Sequence, residues 1–340
     1  MSSREYTVGV VGAGLVGQKL VEILEERFFP MDELRIMARS RRKQDIAGRE
    51  RQVVAACDEA FDGLDIALFA GTEGESGASQ LYGWNAVEKG VLVIDNGKDY
   101  RMDPRVPLVV PEVNARAIED NEGFIANPNC STIQMVVALA PLHEAAGLKR
   151  VVVSTYQSVS GTGRSGVRAL DAQRKAAVEG GEAENGPYPH PIYDNCIPEI
   201  GSLSDEFAGY YSEEIKMVRE TRKIMDLPEL PLTATCVRVP VSMSHGEVVN
   251  VELENALSAE ETREILREAE GVRVVDDPAG SRYPLAAEAA GEDPVYVGRI
   301  RRDPSRDNAL DMWCVADNIR KGAALNTIQI AERAVELGVV

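Results

Sequence analysis

Short apolar runs alternate with longer amphipathic stretches through the first part of the chain, and this predicts strands and helices in turn. Residues 7–11 (TVGVV), 33–38 (ELRIMA), 66–70 (IALFA), 91–95 (VLVID) and 123–126 (GFIA) read as strands. Between them lie helical patterns, the first from about 18 to 26. Strands alternating with helices imply a parallel, doubly wound α/β sheet. A further helix is expected over 133–146, entered through Asn127-Pro128-Asn129-Cys130 with Ser131 or Thr132 as N-cap. In the second half, 151–157 (VVVSTYQ), 237–241 (VRVPV) and 248–253 (VVNVEL) predict long strands, which suit a sheet covered by helices on one face.

The first strand runs straight into Gly12-Ala13-Gly14-Leu15-Val16-Gly17, a GxGxxG between strand and helix. In that context the glycines allow a tight turn and close backbone approach, and the helix N-terminus receives a dinucleotide pyrophosphate. A site for NAD usually carries an acidic residue at the end of the second strand, to accept from the ribose hydroxyls. Here Arg39 and Ser40 stand at that point, which favours a 2′-phosphate and hence NADP. Arg41, Arg42 and Lys43 read as a solvated loop.

Cys130 is expected at the first turn of its helix, where unpaired N–H groups and the helix dipole favour a thiolate. A buried structural cysteine is the plain alternative. Of the three histidines, His143 falls late in a helix and His190 is boxed by prolines, whereas His245 sits at a strand break beside a glycine. Arg238 lies within a strand expected to be buried, so it needs an anionic partner from protein or substrate.

Composition narrows the setting. The chain has 340 residues, long enough for two domains, and 44% hydrophobic positions. It has no apolar run long enough to span a membrane and no signal-peptide core, so a cytoplasmic location is expected. The net charge of −18 argues against nucleic acid. Five scattered cysteines fit neither a disulfide framework nor a metal site.

Several segments together resemble the aspartate-β-semialdehyde dehydrogenase family. They are Asn127 to Thr132, Gln157 with Ser160-Gly161-Thr162-Gly163, Glu213-Glu214-Ile215-Lys216-Met217, Arg238-Val239-Pro240-Val241, Ser244-His245-Gly246-Glu247 and Asp317 to Asn326. They follow the family's order and spacing over nearly the whole chain. The resemblance implies NADPH-dependent reductive dephosphorylation of L-aspartyl-4-phosphate to L-aspartate-4-semialdehyde, in lysine, threonine and methionine biosynthesis. Cys130 would form an acyl-thioester, Gln157 would orient the acyl group, and His245 would act as general acid/base. Arg238 would grip the α-carboxylate, Glu214 the α-ammonium, and Arg101 and Lys216 the departing phosphate. Ala13, Gly14, Leu15, Val16, Arg39, Ser40, Ser160, Gly161 and Asn318 would contact NADP, and the enzyme would be a homodimer at least. The implied architecture is a Rossmann-like domain of residues 1–127 and 318–340, with a catalytic and dimerisation domain of residues 128–317.

Two departures from the family pattern stand out: Ala13 replaces a threonine in the glycine turn, and arginines follow Arg39-Ser40 where small residues are usual. Three rivals are weighed. An N-acetyl-glutamyl-phosphate reductase-like enzyme would need no acidic group for an ammonium. A non-catalytic cofactor-binding paralogue would not need both Cys130 and His245. A redox-sensing thiol protein would place a resolving cysteine near Cys130.

Overall fold

The computed structural model describes residues 4–71 and 73–340. The chain forms two compact units, one running to Asn129 and resuming at Ala323–Val340, the other Cys130–Gly322. The boundaries expected after residues 127 and 317 therefore fall after Asn129 and Gly322.

The first unit holds a seven-stranded sheet built from β1 (Tyr6–Val11), β2 (Met31–Ala38), β3 (Arg42–Ile46), β4 (Arg49–Ala55), β5 (Ile66–Phe69), β6 (Leu92–Asp95) and β7 (Phe124–Ala126). The order is β3-β4-β2-β1-β5-β6-β7, and every pairing but β3–β4 is parallel. Central strands buried on both faces read as continuous apolar runs, as in Ile66–Phe69. The helix Leu15–Glu26 begins three residues before the expected 18, because the end of the glycine turn already belongs to its first turn. Gly17 is required there: a Cβ would lie 1.8 Å from the Gly12 carbonyl oxygen.

The expectation of a solvated loop at 41–43 fails for Arg42 and Lys43, which open edge strand β3. Its sequence, RKQDI, has no apolar alternation because most of it is exposed. A tight turn at Ala47 (φ +55°) and Gly48 (φ +69°) sets the β3–β4 hairpin instead.

The second unit is a six-stranded mixed sheet of β8 (Leu148–Gln157), β9 (Leu232–Arg238), β10 (His245–Leu253), β11 (Val272–Val274), β12 (Val295–Arg302) and β13 (Ala309–Ala316). Its order is β11-β12-β13-β10-β8-β9. The helix Cys130–Ala146 packs on one face against β8, β10, β12 and β13. It is buried on nearly all sides, so its sequence is apolar around the whole circumference. This helix starts at Cys130, so the expected caps Ser131 and Thr132 lie inside its first turn, fully buried. The strand expected at 237–241 ends at Arg238, and Pro240, which has no N–H to offer a ladder, lies beyond it. Among the described residues, no helix is long and apolar enough to cross a membrane.

Candidate active site

In the second unit, strand register assembles the polar residues. Gln157 pairs with Arg238, and Gly246 pairs with Tyr156, which brings His245 level with Gln157 at the same end of the sheet. All three side chains are buried: Arg238 is 5% exposed, Gln157 1% and His245 0%. His245 was expected at a strand break but is the first residue of β10. The break lies just before it, at Ser244 (φ +70°).

His245 has its tautomer set by a backbone group. The Ser158 N–H donates to His245 Nδ1 at 3.0 Å, and the Ser158 hydroxyl lies 3.0 Å from the same nitrogen. An amide N–H can only donate, so Nδ1 is the acceptor and the neutral ring carries its proton on Nε2. Burial, reinforced by the positive charge of Arg238, lowers the His245 pKa to about 3. The Nε2 atom has no hydrogen-bond partner among the described residues. Gly161 leaves room beside it: a Cβ there would stand 2.8 Å from Arg238 Nη1 and 3.2 Å from His245 Nε2. Arg238 is itself held by a bond from Nη1 to the Ser158 carbonyl at 2.6 Å.

Gln157 uses both ends of its amide. Its Oε1 accepts from the Thr155 hydroxyl at 3.0 Å, and its Nε2 donates to Glu213 Oε1 at 3.1 Å. Glu213 in turn accepts from Lys216 Nζ at 3.0 Å, one helical turn away. The residue expected to hold an ammonium, Glu214, is employed elsewhere. Its carboxylate accepts from the Tyr211 N–H (2.8 Å), capping the helix Ser212–Ile224, and from the Cys236 N–H (3.1 Å). Glu213, not Glu214, thus joins Gln157 and Lys216. The i, i+3 spacing of Glu213 and Lys216 was the sequence signal for this choice.

Asn318 completes the cluster. Its Oδ1 accepts from Ser158 Oγ (3.1 Å), Ser160 Oγ (3.0 Å) and the Ser244 N–H (3.0 Å). The backbone donor fixes which atom is oxygen, so Nδ2 is the free end; it is buried and has no partner among the described residues. Ser158 was not anticipated by sequence, since nothing local distinguishes it from its neighbours. Cys130 lies at the start of its helix, partly exposed, with Gly322 against it: a Cβ on Gly322 would lie 2.8 Å from that of Cys130.

In the first unit, the helix Leu15–Glu26 has Gly14 as N-cap, no side-chain cap and no acidic residue in its first turn. Its leading N–H groups and dipole therefore suit an anion. Ala13 is buried, Leu15 and Val16 are half-buried, and Arg39 and Ser40 are exposed beyond the end of β2. Arg101, 7% exposed, donates from Nη2 to the Asn96 carbonyl at 2.8 Å. Close by, Asp95 accepts from the Gly97 N–H at 2.8 Å, and burial pushes its pKa up to about 6.

Comparison with known proteins identifies the family. A family model described as "Semialdehyde dehydrogenase, NAD binding domain" matches residues 7–121. A second, "Semialdehyde dehydrogenase, dimerisation domain", matches residues 139–321. The chain is 48% identical to the aspartate-semialdehyde dehydrogenase of Aquifex aeolicus, covering 98% of this chain and 99% of the relative. It is 44% identical to that of Bacillus subtilis, covering 99% of each. Among solved structures, aspartate semialdehyde dehydrogenase II of Vibrio cholerae superposes with a TM-score of 0.92 at 41% identity, covering 98% of this chain and 99% of the other. A complex of that Vibrio enzyme with ASA matches equally well, again at TM-score 0.92 and 41% identity over 98% and 99% of the two chains. With both family models matched in order and relatives this similar over their full length, the chain belongs to the aspartate-semialdehyde dehydrogenase family.

Proposed function

We propose that this protein interconverts L-aspartyl-4-phosphate and L-aspartate-4-semialdehyde plus phosphate, with NADPH as the reductant. The observation that carries the reading is the buried group of Arg238, Gln157 and His245, with the Glu213–Lys216 pair bonded to Gln157. A planar guanidinium suits the α-carboxylate, Glu213 suits the α-ammonium, and Lys216 and Arg101 suit phosphate.

The residues fit a dinucleotide. The uncapped helix after Gly14 offers N–H groups to a pyrophosphate, and the buried, partnerless Nδ2 of Asn318 is a donor for a carboxamide oxygen. When bound, the nicotinamide supplies hydride to the acyl carbon. Cys130 Sγ attacks the acyl phosphate, forming a C–S bond as the carbon–oxygen bond to phosphate breaks. The later break of that C–S bond releases the aldehyde and returns the thiolate. His245 holds its proton at Nε2 and donates a hydrogen bond to the carbonyl oxygen while that oxygen bears negative charge. The general acid/base role implied for His245 thereby narrows to that of a neutral donor, because Nδ1 is already taken by the Ser158 N–H. A homodimer is the proposed working form, supported by the match to a dimerisation domain, and the cytoplasm is its proposed location.

The test is NADP reduction by the purified enzyme with L-aspartate-4-semialdehyde, with and without phosphate, beside N-acetyl-glutamate semialdehyde. Phosphate-dependent turnover of the first compound alone is expected. Preference for the acetylated compound would overturn the assignment of Glu213 and of the substrate.

A further inference from the structure

At the carboxyl ends of β1, β2, β4 and β5, the first unit has a cleft of about 640 Å³. Gly12, Ala38, Arg39, Arg42, Ala56 and Tyr82 are among its lining residues, and no aspartate or glutamate is. Two guanidiniums and no carboxylate is unusual in a chain of net charge −18. Elsewhere in this unit, basic side chains near these strands have acidic partners: Arg35 with Glu33, Lys43 with Glu50, and Arg51 with Glu25. Arg42 has no carboxylate partner among the described residues.

Arg42 is nevertheless held in place. Its Nη1 donates to the Ser40 carbonyl at 3.1 Å and its Nε to Gln44 Oε1 at 3.0 Å. Gln44 Nε2 then donates to the Ala13 carbonyl, inside the glycine turn, at 3.0 Å. The backbone of Arg42 is fixed as well, its carbonyl accepting from Gln52 Nε2 at 3.1 Å. Edge strand β3 thus presents a braced guanidinium, tied through Gln44 to the turn that suits a pyrophosphate. Its Nη2 donors have no partner among the described residues. Arg41, the neighbouring arginine, does not line the cleft.

We infer that Arg42 is a specificity-determining residue that works with Arg39 as a two-guanidinium clamp on a phosphomonoester at the adenosine ribose, and so selects the phosphorylated dinucleotide. This rests on the dinucleotide reading above. Two planar forks share the dianion, and Gln44 sets the distance between clamp and pyrophosphate site. Loss of Arg42 should then weaken binding only of nucleotides that carry the 2′-phosphate.

The experiment is calorimetric titration of the whole enzyme with 2′,5′-ADP and with 5′-ADP, for wild type, Arg42→Gln and Arg41→Gln. Arg42→Gln should lose about ten- to a hundred-fold in affinity for 2′,5′-ADP, the range for one charge-assisted contact. Its affinity for 5′-ADP should stay within about twofold of wild type, which also confirms an intact fold, and Arg41→Gln should leave both unchanged. If Arg42→Gln keeps the wild-type ratio of the two affinities, the clamp is refuted while the dinucleotide reading stands. If the wild type binds neither nucleotide, the dinucleotide reading itself falls, and the clamp with it.

Discussion

Glu213 and Glu214 are chain neighbours with the same functional group and different employment. Glu213 meets Gln157 and Lys216, whereas Glu214 caps a helix and takes the Cys236 N–H. Glu213→Gln is therefore expected to lower kcat/KM for the semialdehyde by about tenfold or more, as loss of a charged contact does. Glu214→Gln weakens a cap and should cost about 1 kcal/mol of stability, with kcat/KM close to wild type. Thermal midpoints and kinetics measured on the same preparations separate the two; the reverse pattern would return the substrate role to Glu214. Arg238→Lys tests the planar fork in the same way. It keeps the charge but removes the geometry that also holds Nη1 on the Ser158 carbonyl. A loss of about 10- to 150-fold in kcat/KM is expected, from about 1.5–3 kcal/mol. A variant with a lower melting point and unaltered kinetics would make Arg238 a structural residue.

At the scale of elements, legibility followed burial. Strands β1, β5, β6 and β7 were plain in the sequence because each is a run of apolar residues buried from both sides. Edge strand β3 was not, since exposed positions carry no hydrophobic pattern and the Ala47-Gly48 turn that makes it is short. In the candidate site, Cys130, Gln157, Arg238 and His245 were recognisable from their motifs. Ser158 and Thr155 follow from the pairing of β8 with its neighbours, which one strand's sequence does not reveal, whereas the choice of Glu213 over Glu214 was there to be read in the i, i+3 spacing to Lys216. The glycine turn offers a test of what its pattern encodes. A Cβ on Gly17 would collide with the Gly12 carbonyl, but one on Gly14 meets nothing within 4 Å. Gly17→Ala should consequently destabilise the protein. Gly14→Ala should fold with a wild-type melting point and yet bind NADPH more weakly, because the added methyl intrudes where a phosphate would approach. Fluorescence titration with NADPH checks this, and undiminished affinity would place the pyrophosphate elsewhere.

The molecule as a whole carries a buried acid that the proposed chemistry does not use, and it couples stability to pH. Behind the row of Arg238, Gln157 and His245, the second sheet has another polar row, in which Cys236 pairs with Thr155, and Glu247 with both Thr155 and Cys314. Glu247 is fully buried, and burial pushes its pKa well above 4.5. Gln134, one turn along the helix from Cys130, eases its ionisation, but neither carboxyl oxygen has a well-formed hydrogen bond among the described residues. Since the folded pKa is raised, the folded state binds the proton more tightly than the unfolded chain. The contribution of Glu247 is thus fully present below the unfolded pKa and is lost as pH rises through the folded one. His245 runs the other way: with its pKa lowered to about 3, its contribution is full above the unfolded value and fades as pH falls. Comparing wild type with Glu247→Gln cancels His245 and every other shared group. The melting temperature of the wild type relative to Glu247→Gln should fall as pH rises above the ordinary carboxylate range. Thermal melts at fixed protein concentration give this difference directly. A difference that stays constant from pH 5 to pH 8 would mean that Glu247 titrates alike in the folded and unfolded chains.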